Sequence, residues 1–308
     1  MTDPVPEFSI IIPARNMERF VTQTLDSVSS QTLTAFEVIC IDDGSTDGTR
    51  RIFDAYAQKD ARFRPVSGPA KGVSAARNLG LEQASGAFVL FLDADDLLHS
   101  EALQRFHASL SNSDAVGAVA GVQRINVDGE DLRGADNRAL IPEQDQLAAL
   151  LRKNYVVNGG ALALRTQAAR QAGGYDTSLK NGEDWEFWSR VALEGRFEVV
   201  PGPALLLYRQ VATGANFQTR DTGFTQMAPC IEKIANNPAM QQKFGAQLRR
   251  LLRAREIDRY WSNVRNQFQY GRKPVALLEG LRGVIMYPDS LFRPKLIWRF
   301  VRSLDRRV

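Results

Sequence analysis

Phe88-Val-Leu-Phe-Leu-Asp-Ala-Asp-Asp96 is the stretch on which the fold of this chain turns. Five apolar residues run directly into three carboxylates, Asp93, Asp95 and Asp96. An apolar run entered through Ser85-Gly86 reads as a strand buried on both faces. Acids at its C-terminal end then sit at the rim of a sheet, where open α/β folds place their ligands. Crowded carboxylates repel one another and call for a positive partner. A hard divalent cation, Mg²⁺ or Mn²⁺, suits them, because such ions prefer oxygen ligands and often keep a diphosphate oxygen among these. The same acids also suit a helix N-cap, with Asp95 or Asp96 capping a helix through Leu103. On this stretch alone both readings stand.

Upstream, Phe8-Ser-Ile-Ile-Ile-Pro13 and Phe36-Glu-Val-Ile-Cys-Ile41 are two further apolar strands, the second also ending in acids, Asp42 and Asp43. Glu18–Gln31, Ser45–Tyr56 and Val73–Leu81 read as helices, with a weaker strand at Arg62–Ser67. Such alternation describes a doubly wound sheet with its loops gathered at one rim. No G-x-G-x-x-G follows the first strand and no G-x-x-x-x-G-K-[ST] occurs, so neither a dinucleotide Rossmann site nor a P-loop is indicated. Downstream, a helix is expected from Asp96 to about Leu110, and a strand over Ala115–Ile125 with a turn at Asn126–Gly129. Residues 129–146 read as a polar loop bordering a substrate site. A strand follows at Gly159–Arg165, then a helix opening at Glu183-Asp184-Trp185, and short strands at Phe197–Val200 and Ala204–Tyr208. Beyond Gly223 the pattern is helical: 224–236, one long helix near 238–267, and 274–286.

Charge divides the chain. Residues 231–308 carry 17 Lys and Arg against 6 Asp and Glu, net +11, whereas residues 1–230 are net −7. A basic tail on an acidic body seeks an anionic partner. The segment Leu291–Leu304 interleaves aromatics with arginine, the composition either of a helix lying at an anionic membrane surface or of one packed back on the body with a solvated Arg face. No nucleic-acid recognition motif accompanies it. Only two histidines (His99, His107) and two distant cysteines (Cys40, Cys230) occur, which disfavours a His-rich zinc site and disulfide staples. No apolar run reaches the roughly 18 residues of a membrane span, and Met1–Glu7 lacks the regions of a signal peptide. A cytoplasmic location, peripheral at the inner face of the cell membrane, is the expectation.

Five ordered stretches resemble family 2 glycosyltransferases of the GT-A fold: Ser9–Asn16, Val38–Asp47, Gly72–Asn78, Phe91–Asp96 and Gly182-Glu-Asp-Trp185. The resemblance covers roughly residues 8–210 and implies a GT-A type α/β fold: a doubly wound, mostly parallel sheet with a helical C-terminal extension. It divides the chain into a catalytic domain, 1–222, and a basic helical extension, 223–308. It implies an inverting enzyme that moves a sugar from a nucleotide-sugar, a UDP-sugar being favoured, to an acceptor hydroxyl on a glycan or lipid-linked glycan of the cell envelope or an exopolysaccharide. By the same resemblance Pro13, Asn16 and Asp43 belong to the nucleotide pocket, Arg77 reaches the base or phosphate, and Asp93 lies near the ribose. Asp95 holds the metal, Asp184 is the catalytic base, and Glu183, Trp185 and Arg209 lie on the acceptor or diphosphate side. The chain departs from the family at Tyr208-Arg-Gln-Val211, where Val211 stands in place of a histidine that assists the metal or diphosphate. The rival expectation is a nucleotide-sugar-binding module without turnover, or a scaffold of a glycan assembly complex.

Overall fold

A computed structural model describes residues 5–132, 141–211, 227–269 and 273–292. Its first half follows the apolar runs closely. Strands β1 (Phe8–Ala14), β2 (Phe36–Asp42), β3 (Phe63–Ser67) and β4 (Phe88–Phe91) alternate with helices α1 (Val21–Ser29), α2 (Thr49–Lys59) and α3 (Val73–Gln83). The strands are parallel in the order β3-β2-β1-β4. Every residue of β1 and β4 is buried, as a strand covered on both faces requires. Ile10, Ile12, Val38, Cys40 and Leu90 share one apolar cluster with Val21, Leu25 and Val28 of α1. Pro65, which has no amide hydrogen to donate, lies on β3 at the sheet edge, where that loss is harmless.

After Asp96 the chain departs from the helical expectation. A two-residue strand, β5 (Leu97–Leu98), comes first, and α4 (Ala102–Ser111) begins only at Ala102 with Glu101 in the N-cap position. Neither Asp95 nor Asp96 is therefore a helix cap. The Ala115–Ile125 run is two strands, β6 (Gly117–Val119) and β7 (Val122–Ile125), because the chain changes sheet at Ala120-Gly121. There the Ala120 amide donates to the Ala161 carbonyl, and the Gly121 carbonyl accepts from Leu205. Next come α5 (Gln146–Arg152), a 3₁₀ turn at Gly159–Ala161, β8 (Leu162–Arg165), α6 (Thr166–Gln171), α7 (Glu183–Glu194), β9 (Phe197–Val199) and β10 (Leu206–Arg209). Strand β8 runs antiparallel to both β4 and β6, completing a seven-stranded sheet β3-β2-β1-β4-β8-β6-β9. A second sheet, β5-β10-β7, brings β10 beside the acid run.

The remaining elements are α8 (Ala228–Ala235), α9 (Pro238–Phe244), α10 (Ala246–Gln269) and α11 (Lys273–Met286). The expected single helix over 238–267 is broken at Gly245, whose φ of +50° leaves the helical region. Among the described residues, those up to Leu150 and from Asn154 to Val211 form one compact unit, and Leu151–Lys153 with those beyond Val211 form a second. The 222/223 boundary, most of the 129–146 loop and the Arg-aromatic segment beyond residue 292 lie outside the described residues.

The turn into β4 depends on a side chain that is absent. A Cβ on Gly86 would stand 2.6 Å from the Phe8 carbonyl carbon and 2.7 Å from the Ser9 nitrogen, both backbone atoms of a central strand. Gly86→Ala is expected to destabilise the fold by about 2 kcal/mol, the usual scale of overpacking where the neighbour cannot move. Urea unfolding monitored by circular dichroism measures it.

Candidate active site

The C-terminal ends of β1, β2 and β4 open on one rim, and the candidate residues lie there. Pro13 is buried on β1, in register with Ile41 of β2. Asn16 follows in a left-handed conformation (φ +56°), and its Oδ1 accepts from the Thr46 amide at 2.8 Å, tying the β1 exit to the loop after β2. Asp43 is 3% exposed, and its Oδ2 accepts from the Gly72 amide at 2.8 Å. Its Oδ1 is buried and has no hydrogen-bond partner among the described residues. An unpaired buried carboxylate oxygen is costly, so its natural complement is a donor brought by a ligand.

The acid run itself is a tight turn: the Asp96 amide donates to the Asp93 carbonyl, and Thr24 of α1 donates its hydroxyl to the Ala94 carbonyl. The three carboxylates then have three different fates. Asp93 accepts from Arg77 Nη2 at 2.7 Å through one oxygen and from Asn158 Nδ2 at 3.0 Å through the other. Asp96 is fully buried, accepting from the Arg209 amide at 2.9 Å and from the same Asn158 nitrogen at 3.1 Å. Burial, then the charges of Asp93 and Asp95, push its pKa well above the carboxylate range. Among the described residues, only the Asp95 carboxylate of the three accepts no hydrogen bond from another residue. Burial and the Asp93 charge raise it to about 6, against a weaker opposing pull from Arg209.

Arg77 is the centre of the site. It lies on α3 with a side chain 5% exposed, its guanidinium over the buried Tyr175 ring at 5.1 Å. While Nη2 holds Asp93, Nη1 donates to Asp184 Oδ1 at 2.9 Å and lies 3.7 Å from Glu183 Oε1. One guanidinium thus joins the acid turn after β4 to the first turn of α7. Asn78, one residue on, fixes the Tyr175 backbone through both its amide groups. Burial raises Glu183 to about 7, with the Asp184 charge adding to it. Burial also raises Asp184, partly opposed by Arg77 and reinforced by Asp93.

Two residues take places other than those the resemblance implied. Trp185 is 2% exposed, and its indole N–H donates to the Leu150 carbonyl, so it is a core residue beneath α7 that presents no face to an acceptor. Arg209 is buried with its donors engaged: Nε on the Asp95 carbonyl, Nη1 on the Val127 carbonyl and Nη2 on Gln23 Oε1. It supports the acid turn from beneath. Asn158, in contrast, gave no signal by charge or motif. Its Oδ1 caps the 3₁₀ turn through the Gly160 amide, leaving Nδ2 to hold Asp93 and Asp96 together. The only hint in the sequence is an Asn before Gly159-Gly160. Asn158→Ala strips one donor from two crowded carboxylates, and a loss of about 2 to 3 kcal/mol is expected from unsatisfied buried acceptors; chemical denaturation tests it.

Over residues 9–173 the chain matches the model of glycosyl transferase family 2. The chain belongs to that family. Among curated relatives, the uncharacterized glycosyltransferase EpsJ of Bacillus subtilis is 34% identical over 151 residues, 48% of this chain and 41% of EpsJ. The chain spans less than half the length of the curated relatives it matches. The fold is shared with TarS 1–349 of S. aureus, solved in complex with UDP-GlcNAc, at a TM-score of 0.65 and 22% identity over 90% of this chain and 79% of that one. It is shared too with the mannosyltransferase PcManGT of Pyrobaculum calidifontis, solved with GDP-Man and Mn²⁺, at a TM-score of 0.60 and 17% identity over 98% and 87%. The fold is thus the GT-A type, an α/β sheet with a helical C-terminal region. No helix among the described residues is long and apolar enough to cross a membrane.

Enzymes of this fold commonly use a divalent metal, and the donor set allows a test of fit. Among the described residues no three His, Cys, Asp or Glu side chains form a metal cluster. Asp93 and Asp96 already have both oxygens engaged, which leaves Asp95. One free carboxylate suits a cation such as Mg²⁺ or Mn²⁺ that takes its other ligands from a substrate diphosphate and water. The residues fit a metal that arrives with the donor.

Proposed function

We propose that this chain transfers a sugar from a nucleotide-sugar, a UDP-sugar, to an acceptor hydroxyl with inversion, in the synthesis of a cell-envelope or exported glycan. The observation that carries the reading is Arg77, which holds Asp93 and Asp184 with one guanidinium at 2.7 and 2.9 Å. It keeps a donor-side carboxylate and a candidate base in one fixed frame. Asp184 withdraws the acceptor's proton as the hydroxyl oxygen bonds to the sugar's anomeric carbon. The bond from that carbon to the diphosphate breaks, and the electron pair leaves with the nucleoside diphosphate. A hydroxyl is a poor nucleophile until its proton is taken, and a carboxyl made more basic by burial, as Asp184 is, is suited to that work. Asp43 Oδ1 offers an acceptor to a pyrimidine imide N–H, and Pro13 and Asn16 shape the same pocket. Asp95 would hold a divalent cation, which when bound neutralises charge gathering on the leaving diphosphate. A glycan or lipid-linked glycan acceptor agrees with the poly(ribitol-phosphate) β-N-acetylglucosaminyltransferase function in the name of TarS. A thermal-shift panel of UDP-, GDP- and dTDP-sugars with and without Mn²⁺ tests the reading. Stabilisation by a UDP-sugar that requires the metal is expected; no response to any nucleotide-sugar would defeat it.

The base also sets a pH dependence. It works only when deprotonated, so kcat/KM falls as pH drops through the titration of Asp184, by about tenfold per unit below it. Burial and the Asp184 charge raise Glu183 to about 7, whereas Asp184 is raised by burial and by Asp93. Glu183→Gln leaves the causes acting on Asp184 in place, so the acidic limb of the pH–rate profile is expected to stay where it is. A limb that moves with the substitution would make Glu183 the titrating base.

A further inference from the structure

We propose that Tyr175 is a positioning residue for the transfer: the face of its ring seats the Arg77 guanidinium and so holds Asp184 ready as base. The inference rests on the reading of Asp184 given above. The ring lies where three elements of the site converge. It meets Phe91 of β4 edge-on at 5.1 Å and Phe187 of α7 at 4.4 Å, and the Arg77 guanidinium of α3 lies over it at 5.1 Å. Strand β4 leads into Asp93, α3 carries Arg77 and α7 opens with Glu183 and Asp184. Two of these elements also hold the backbone. From α3, Asn78 Oδ1 accepts from the Tyr175 amide at 2.7 Å, and its Nδ2 donates to the Tyr175 carbonyl at 2.8 Å. From α7, Arg190 Nη2 donates to the Gly174 carbonyl at 2.7 Å while its Nε pairs with Glu186. Gly174, at φ +69°, permits this clamp, since a Cβ there would stand 2.6 Å from Asn78 Oδ1.

The hydroxyl does not account for a tyrosine in this place. It is buried and has no hydrogen-bond partner among the described residues. The ring face does account for it. Arg77 directs Nη1 to Asp184 and Nη2 to Asp93, and its buried Nε has no partner among the described residues. The hydrogen bonds thus draw the guanidinium toward two different elements, and the negative face of the ring sets its position between them. Such an attraction strengthens where water is excluded, and Tyr175 is 2% exposed. The charged groups around Asp184 are Arg77 of α3, Asp93 after β4 and Glu183 beside it on α7. Of these, Arg77 favours the ionised carboxylate and Asp93 opposes it. A guanidinium displaced from its seat therefore leaves Asp184 harder to ionise.

The pH–rate profile of the full chain, run beside a ¹³C NMR titration of the Asp184 carboxyl assigned with Asp184→Asn, tests the proposal. Tyr175→Met keeps apolar bulk but removes the ring face. It is expected to raise both the acidic limb and the carboxyl titration by about one pH unit, the lower end of what a nearby opposite charge contributes. A guanidinium out of place should also lower kcat about tenfold. Tyr175→Phe keeps the face and is expected to keep both titrations at their wild-type positions. Asn78→Ala, which frees the backbone and leaves the ring, should move them in the same direction as Tyr175→Met, so the test stands even where the Met variant does not fold. Titrations that stay in place in Tyr175→Met and Asn78→Ala would overturn the proposal and leave Tyr175 a packing residue. A shift in Tyr175→Phe as large as in Tyr175→Met would overturn it in favour of the hydroxyl. A wild-type chain that transfers no sugar would defeat the proposed function instead, and the carboxyl titration would still decide for or against Tyr175.

Discussion

Asp184→Asn is expected to lower kcat about a thousandfold, within the usual 10²–10⁴ contribution of a positioned general base, and to leave nucleotide-sugar binding nearly intact. The substitution keeps the shape and the hydrogen bond from Arg77 Nη1, because the amide oxygen still accepts. What it removes is the only function the reading assigns to this carboxyl, taking the acceptor's proton. The proposed reading assigns binding of the donor to Asp43, Asp93 and Asp95, which the variant does not touch. Single-turnover kinetics with a thermal shift on the same preparation separate the two quantities. Full activity in the variant would remove Asp184 as base. Loss of donor binding together with activity would mean that Asp184 serves mainly to hold Arg77.

Arg77→Met is expected to cost about 3 to 5 kcal/mol at neutral pH, the scale for breaking a buried ion network by removing one partner, and to abolish activity. The guanidinium is the shared counter-charge of Asp93, Asp184 and Glu183, and two of these are already raised by burial. Without it the folded-state pKa values of Glu183 and Asp184 climb further above those of the unfolded chain. The folded variant then binds more protons than the unfolded one, so its stability rises as pH falls. The gap between wild type and variant should therefore be widest above pH 7 and narrow toward pH 5. Urea unfolding across that range reads it. A gap independent of pH would assign the loss to packing against Tyr175 alone. Arg77→Lys keeps a charge but cannot span both carboxylates with a planar fork, so it should recover part of the stability and little of the activity.

The legible parts of this chain were those whose signal is local. Apolar runs located β1, β2 and β4, because a strand buried on both faces carries its own pattern, and the acids that end the second and third of these marked the rim they share. The roles of the individual acids were not legible, because they are set by partners far away in sequence. Asp96 looked like a helix cap until β10, more than a hundred residues on, supplied the amide that holds it. Arg209 looked like a free cation near a diphosphate, yet its acceptors include carbonyls after β7 and Gln23 of α1. Trp185 sits in an acidic helix start, and only the distant Leu150 carbonyl shows that it turns inward. Asn158 is uncharged and outside every motif, so nothing but the tertiary structure brings it between two carboxylates. Gly245 breaks a helix that a smooth amphipathic pattern had joined, a local event hidden by strong helix formers on either side.

The central claim is a single displacement with Asp184 as the sole base, and the configuration of the product tests it most directly. Time-resolved ¹H NMR of the turnover of an α-linked UDP-sugar, with water as acceptor in the absence of a glycan, reports the anomer first formed. The proposed inversion predicts the β-anomer, appearing before mutarotation and lost in Asp184→Asn. A product that first appears as the α-anomer would contradict it.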